Sequence, residues 1–235
     1  MQGVWKRFRY YLIGFLIGTI FVSILFKDRG CSWTPTNRVK NAIQDKIIVF
    51  PEDQIPALNK LGLNKDNIYR FLVKGSVDFS NSLKDQNFYP KVYIIEENDS
   101  IDKRLQFSLY EDSYISVVHV LDQGEAPKRY EHLEGFGDMV RLPKDSSLVF
   151  VDKSNYTQCK ARGLASADPQ DITNAMKATG KVNFTKSDLM LTKAVQYIHF
   201  TQNDTIDVEA KTIWFESRIT FKDFFWDEKL PCETE

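Results

Sequence analysis

The stretch Gly75–Ser82, GSVDFSNS, recurs as GKVNFTKS at Gly180–Ser187, and the fold prediction starts from this repeat. Both copies read G-x-V-[D/N]-F-[S/T]-x-S, and subtracting 75 from 180 gives a spacing of 105 residues. The same spacing carries the polar turn at 98–102 onto 203–207 and Glu111 onto Glu216. Separate matches at one spacing indicate a tandem duplication.

Similar patterns surround each copy. Apolar residues at helical spacing precede the first copy, and Ile172 and Met176 precede the second. Each copy is followed by three strand patterns, at 91–96, 104–110 and 114–121 and again at 194–201, 205–215 and 218–226. The sequence therefore predicts an α+β fold with two similar modules, each a helix packed on an antiparallel sheet. The two modules should superpose, with Phe79 and Phe184 buried at matching positions.

An N-terminal segment precedes the modules. Residues 10–26 form an uncharged run of 17, close to the length that a membrane helix needs. We favour a retained transmembrane anchor in contact with lipid over a cleaved signal peptide or a lipoprotein. The cations Lys6, Arg7 and Arg9 then place the N-terminus in the cytoplasm. The expected location is the bacterial inner membrane, single pass, with the body in the periplasm.

The expected division of the chain follows from these patterns. Residues 1–29 form a cytoplasmic tip and transmembrane anchor, and 30–122 form the first module. A linker rich in Gly and Pro occupies 123–146, and the second module occupies 147–235.

The net charge and the sequence motifs argue against several classes of function. Net charge is −1; the first 29 residues hold five cations and one acid, so the remaining 206 carry −5. An acidic body is poorly suited to a phosphate backbone, and we expect no nucleic-acid partner. No phosphate-binding loop or nucleophile motif is present, and the three histidines lack triad or metal spacing. We therefore expect no catalytic residue, cofactor or metal.

Two further features point to stability and binding. Cys159 and Cys232 bracket the second module and could form a disulfide, leaving Cys31 unpaired; reduced, buried thiols are the alternative. The run Phe224-Phe225-Trp226 cannot point to one side of a strand. These rings fill the core of the second sheet, or at least one of them, which we take to be Trp226, lies at the surface and binds a partner.

The first module resembles a known family. The stretches that carry the resemblance lie within about 60 residues of the first module; they are Leu61–Ile68, Leu72, Lys74-Gly75, Pro90–Tyr93 and Ser116–Val118. They resemble the bacterial Domain of Unknown Function 4258, and the anchor with Cys31 resembles small anchored members in Bacteroidetes. The resemblance implies a fold like that of RelE-like ribonuclease toxins, here in two divergent copies. The histidine that family members carry before the first helix has no counterpart in residues 53–58.

These observations predict a non-enzymatic function. We expect a membrane-anchored interaction module, an accessory or structural subunit of a larger envelope complex with a protein partner. The alternative is a degenerate RelE-like nuclease, or another hydrolase with an unrecognised site. In a nuclease, Lys91, Lys103 and Arg104 would supply the cationic face.

Overall fold

The chain divides into two compact units, Met1–Arg38 and Val39–Glu235. The computed structural model describes residues 2–27, 34–85, 87–97, 103–111, 113–142, 149–152, 169–191, 193–202, 206–215 and 218–226. The described helices are α1 (Gln2–Lys27), α2 (Pro35–Gln44), α3 (Ile55–Lys60), α4 (Ile68–Lys74) and α5 (Pro169–Thr179), and a 3-10 turn spans Glu52–Gln54.

The second unit contains all the described strands. They are β1 (Ile47–Pro51), β2 (Ser76–Leu83), β3 (Lys91–Glu96), β4 (Arg104–Leu109), β5 (Ile115–Val120), β6 (Phe136–Arg141), β7 (Val149–Asp152), β8 (Lys181–Asn183), β9 (Val195–Gln202), β10 (Ile206–Phe215) and β11 (Arg218–Trp226). The three strands expected after each copy of the motif are confirmed, with bounds shifted by at most one residue.

The eleven strands form a single mixed sheet, so the prediction of two modules with separate antiparallel sheets is wrong. The strand order is β2-β3-β4-β5-β1-β6-β8-β9-β10-β11-β7. Strand β6, from the stretch expected to be a linker, pairs with β1 on one side and β8 on the other. These pairings satisfy backbone groups that would otherwise form the edges of two sheets. The pairs β1–β5 and β7–β11 are parallel.

The repeat is visible within this one sheet. The order β2-β3-β4-β5-β1 on one side of β6 has the same connectivity as β8-β9-β10-β11-β7 on the other. Strand β8 is parallel to β1, because both are antiparallel to β6, whereas β2 runs opposite to β1. The second half is therefore turned over relative to the first.

This reversal places the two helices on opposite faces. Successive side chains of a strand point to opposite sides of the sheet. In β1, Ile48 and Phe50 belong to the core that contains the apolar residues of α4. Their neighbours Ile47 and Val49 belong to the core that contains those of α5. Each half of the sheet thus has one face covered by its own helix, and an opposite face that needs another cover.

The repeated motif lies where the chain passes from a helix into a strand, and its polar side chains bind nearby backbone N–H groups. In the first copy, the carboxylate of Asp78 accepts hydrogen bonds from the backbone N–H groups of Ser80 and Asn81, at 2.9 and 3.1 Å. The hydroxyl of Ser82 then accepts the N–H of Ile94 in the next strand, at 3.1 Å. These bonds satisfy backbone groups where the ladder is irregular.

The second copy uses the same positions. The side-chain oxygen of Asn183 accepts the N–H of Lys186 at 3.2 Å, and the hydroxyl of Ser187 accepts the N–H of Tyr197 at 2.9 Å. The motif therefore has a structural role in both halves.

The motif glycines lie against the end of the preceding helix. A Cβ at Gly180 would lie 2.2 Å from the carbonyl oxygen of Met176 and 2.9 Å from the sulfur of Met139. At Gly75 the nearest atom would be the Cγ2 of Ile95, at 2.6 Å. At these two positions the end of the helix and the neighbouring strand thus lie too close together to accommodate a side chain.

We expect Gly180→Ala to lower the free energy of unfolding by about 1–3 kcal/mol or more, because the added methyl group meets a backbone oxygen. Gly75→Ala should cost less, since the nearest backbone oxygens would lie 3.0 Å from the added Cβ at Gly75, against 2.2 Å at Gly180. Urea denaturation of both variants measures the difference. A larger loss for Gly75→Ala would contradict the packing described here.

The phenylalanines of the two copies differ. Phe184 is 2% exposed and lies in the core, as predicted. Phe79 is only half-buried, and the ammonium of Lys84 lies 5.5 Å from its ring centroid. Full burial of Phe79 was therefore a wrong prediction. Strand β2 is at the edge of the sheet and has a neighbour on one side only.

The expectation of an N-terminal transmembrane anchor is also corrected. Within the described residues, no helix combines the length and the apolar character required to cross a bilayer. The uncharged run in α1 has 17 residues, fewer than the roughly 20 usually needed. The lipid contact at residues 10–26 and the single-pass inner-membrane location with a periplasmic body, both inferred from that anchor, are withdrawn with it.

Candidate protein-interaction surface

The face of β9, β10 and β11 opposite α5 carries a mixture of rings and charges. Along β9, every second residue is fully buried, so Tyr197 and His199 point to the other side of the sheet. Cross-strand pairing places Lys211 beside Tyr197 and Glu209 beside His199. Glu209 in turn lies opposite Phe225 in β11. We call the set Lys186, Tyr197, Glu209, Lys211 and Phe225 the Phe225 surface.

A shallow cleft of about 430 Å³ lies on this surface, lined by Lys186, Tyr197, Glu209 and Phe225. The ammonium of Lys186 pairs with the carboxylate of Glu209, which also accepts a hydrogen bond of 3.0 Å from the side chain of Asn183. The ammonium groups of Lys186 and Lys211 lie 5.8 and 5.9 Å from the centroid of the Tyr197 ring. These contacts hold the ring of Tyr197 in place.

A second cleft of about 310 Å³ lies beside the first, between residues 131–134 and 184–189. Lys186 lines both clefts. The hydroxyl of Thr185 accepts the N–H of Gly135 at 2.9 Å, and the N–H of Phe184 donates to the carbonyl of Gly135 at 2.9 Å. The loop that follows the motif and the segment before β6 are thereby joined at the bottom of this cleft.

The three aromatic residues selected from the sequence lie in three different environments. Phe224 is 8% exposed and stacks on Phe221, with ring centroids 5.0 Å apart. Trp226 is partly buried against the same core. Phe225 is 48% exposed and lines the cleft. Of the three rings, Phe225 is the most exposed, whereas Trp226, the ring expected to bind a partner, is half-buried.

Sequence reasoning missed the residues around Phe225. Tyr197, Glu209 and Lys211 alternate along their strands with buried residues that include Ile198, Val208 and Ala210, so this pattern could have identified them. Lys186 could not be found in this way, because it reaches the cleft from the loop after the motif.

The three histidines do not meet. His119 is 5% exposed and stacks on Tyr130 at 4.1 Å, and burial lowers its pKa to about 4, partly opposed by the charge of Asp53. His199 lies edge-on to Phe136 at 6.4 Å, and His132 is exposed in the second cleft. Among the described residues, no three His, Cys, Asp or Glu side chains are placed to hold a metal ion.

The cations that a nuclease would use are engaged elsewhere. Arg104 pairs with Glu96 at 2.8 Å, and Lys103 pairs with Glu97 at 3.3 Å. The ammonium of Lys91 lies 4.9 Å from the ring centroid of Tyr89.

The predicted disulfide between Cys159 and Cys232 lies outside the described residues, as does Cys31. The pairing of these cysteines stays a prediction.

No protein-family model, curated protein or solved structure matches this sequence. The resemblance to the Domain of Unknown Function 4258 stays a prediction. The geometry of the Phe225 surface is therefore the main guide to function.

Proposed function

We propose that this chain is a non-enzymatic protein-interaction module that serves as an accessory or structural subunit of a larger complex. The observation that supports the proposal is the exposure of Phe225, which is 48% accessible at the edge of a 430 Å³ cleft. Burying an exposed aromatic ring against a partner removes a large apolar area from water.

The surroundings of Phe225 fit such a contact. Aromatic residues are enriched at protein interfaces, and polar groups at the rim provide orientation. Here Tyr197 lies next to the cleft, and Lys186 and Glu209 pair with each other across it. A partner would therefore cover the rings of Tyr197 and Phe225. It would not leave a charge of this cleft unpaired, because Lys186 and Glu209 already pair with each other.

We expect Phe225→Ala to reduce recovery of the partner by at least about tenfold, because truncating an aromatic hot spot removes much of the binding energy. The measurement is affinity purification of the full chain from its own cells, followed by quantitative mass spectrometry. Phe88→Ala is the matched control, since Phe88 is also an exposed ring, at 57%, in the first half of the chain. The proposal fails if both variants lose the same proteins or if neither loses any.

The nuclease alternative has its own test. If the chain cleaved RNA, replacing Lys91, Lys103 and Arg104 together by Gln would abolish cleavage, because a polyanion needs positive charge. We expect neither cleavage by the purified chain nor a change in partner recovery for this triple variant. Cleavage that depends on Lys91 or Arg104 would overturn the interaction proposal.

A further inference from the structure

The segment between β5 and β6 lies over the sheet on the face away from α4. Its residues 126–131, which we call the strap, cover β4 and β5. The side-chain amide of Gln106 in β4 donates to the carbonyl of Lys128 at 2.7 Å, and its oxygen accepts the N–H of Lys128 at 3.0 Å. Within the described part of the chain, no backbone–backbone hydrogen bond joins the strap to a strand. Side chains therefore hold the strap in place.

Tyr130 makes the other contacts of the strap. Its ring stacks on His119 in β5, with centroids 4.1 Å apart and an interplanar angle of 12°. Its carbonyl accepts a hydrogen bond of 2.8 Å from the hydroxyl of Tyr110. On either side of the strap, Gly124 and Gly135 have φ angles of 78° and 76°, which glycine adopts readily. The strap is thus a short segment between two glycine turns, held by three side chains of β4 and β5 and the residue that follows β4.

The strap shields His119 from water. His119 is 5% exposed, and its Nδ1 has no hydrogen-bond partner among the described residues. Gln106, which lies opposite it in β4, is 1% exposed. A charged imidazole needs water or an acceptor for each of its two N–H groups, so this buried place favours the neutral form. Protonation of His119 is therefore coupled to its uncovering.

The sheet and the 3-10 turn bring one charge to bear on His119. The carboxylate of Asp53, in the 3-10 turn, partly opposes the effect of burial on the His119 pKa. Strand β4 faces His119 with the uncharged amide of Gln106, and β1, the other neighbour of β5, contains no charged residue. Burial is the larger of the two effects, so the neutral imidazole is favoured under the strap.

The charged side chains of the strap and its first turn are engaged elsewhere or face solvent. The ammonium of Lys128 pairs with Glu125 at 2.8 Å. The guanidinium carbon of Arg129 lies 5.6 Å from the centroid of the Phe88 ring, and Glu131 is exposed. What the strap places on the imidazole of His119 is therefore the ring of Tyr130.

We propose that the strap leaves the β4–β5 face as a unit when His119 takes up a proton, while the rest of the sheet stays folded. Release lets water bind both N–H groups of the charged ring, and it costs only the contacts of three side chains. Unfolding the whole sheet would also solvate His119, but at the cost of the entire core. The strap is thus the smallest part of the fold whose opening stabilises the charged ring. Its release does not depend on the proposed function.

Release of the strap also changes the second cleft. Residues 131–134, at the end of the strap and directly after it, form one wall of that cleft. The next residue, Gly135, is held by hydrogen bonds to Thr185 and Phe184. The movement therefore ends at Gly135, and β6 stays paired on both sides. Mild acid thus opens the β4–β5 face and one wall of the second cleft within an intact sheet.

Hydrogen exchange of the full chain tests this release. It is read at the backbone N–H of Lys128 and at those of β1, and corrected for the intrinsic effect of pH on exchange. Burial lowers the pKa of His119 from 6.5 to about 4, whereas the released ring has the ordinary value. The opening equilibrium at Lys128 should therefore rise roughly 50–100-fold between pH 7.5 and 4.5. The N–H groups of β1 should exchange much more slowly at both pH values, because they report on unfolding of the sheet.

Two variants remove the proton site. His119→Phe keeps a ring against Tyr130, and His119→Gln keeps a polar side chain; both should abolish the pH dependence at Lys128. His132→Gln, at an exposed position, is the matched control and should retain it. Tyr110→Phe removes only the hydrogen bond to the strap, so exchange at Lys128 should be about fivefold faster at each pH, with the same dependence on pH.

Three results would overturn this proposal. The first is an N–H of Lys128 that exchanges as slowly as those of β1, since the strap then does not open on its own. The second is an equal rise of the opening equilibrium in the unmodified chain and in either folded His119 variant, since another group then drives the opening. The third is loss of the circular dichroism signal of the sheet in the unmodified chain at pH 4.5, since acid then unfolds more than the strap.

Discussion

Replacing Phe184 by Ala is expected to lower the free energy of unfolding by about 3–5 kcal/mol, the usual cost of removing a fully buried ring. Phe184 is 2% exposed, and a Cβ at Gly137 would lie 2.6 Å from its ring. The ring thus fills a space beside β6. The backbone of β6 cannot shift to close this space after the ring is removed, because β6 is paired with β1 on one side and β8 on the other. Urea denaturation followed by circular dichroism measures the loss.

The matched control is Phe79→Ala, the same change at the equivalent position of the first half. Phe79 is half-buried and lies on the edge strand, so its loss should cost about 1 kcal/mol. Equal losses for the two variants would show that the halves are more alike than the burial of these rings indicates.

Stability should also fall in mild acid because of His119. Burial lowers the pKa of His119 from 6.5 to about 4 in the folded chain, whereas the unfolded chain keeps the ordinary value. Between these values the unfolded state binds more protons, so stability is complete above about pH 6.5 and decreases as the pH falls towards 4. At pH 4.5 the loss from this group is about 2–3 kcal/mol.

The comparison that isolates this effect is His119→Gln. This variant should be less stable at pH 7.5, because the stacking on Tyr130 is lost, but its stability should change less between pH 7.5 and 4.5. His132→Gln, at an exposed position, should keep the pH dependence of the unmodified chain. If His119→Gln and the unmodified chain lost the same stability over this range, His119 would not be the responsible group.

Local patterns in the sequence predicted individual elements well. Helix α4 buries Ile68, Phe71 and Leu72, the residues expected from their helical spacing. The strand within each motif begins directly after the glycine that follows the helix. These features depend on neighbours within a few residues, and the sequence contains that information directly.

The exposure of Phe225 could not be predicted, because it depends on an irregularity in pairing. Phe221 and Phe224 are three residues apart, yet both lie in the core. The pairing of β10 with β11 shifts between Lys211 and Thr212, which places an extra residue in β11 and reverses the alternation after it. The alternation of apolar and polar residues along the sequence does not show where such a bulge lies.

Local conformation and spacing specify the repeat, the helix–glycine–strand unit in each half and the apolar faces of the elements, so these could be read from the amino-acid sequence. Long-range packing specifies that β6 joins both halves into one sheet, that the second half is turned over, and that no described segment covers Phe225. These features could not be read from the sequence, because strand pairing and the covering of a sheet face join residues far apart in the chain. Backbone hydrogen bonds do not depend on which residues supply them, so the choice among pairings is made by the packing of the whole molecule.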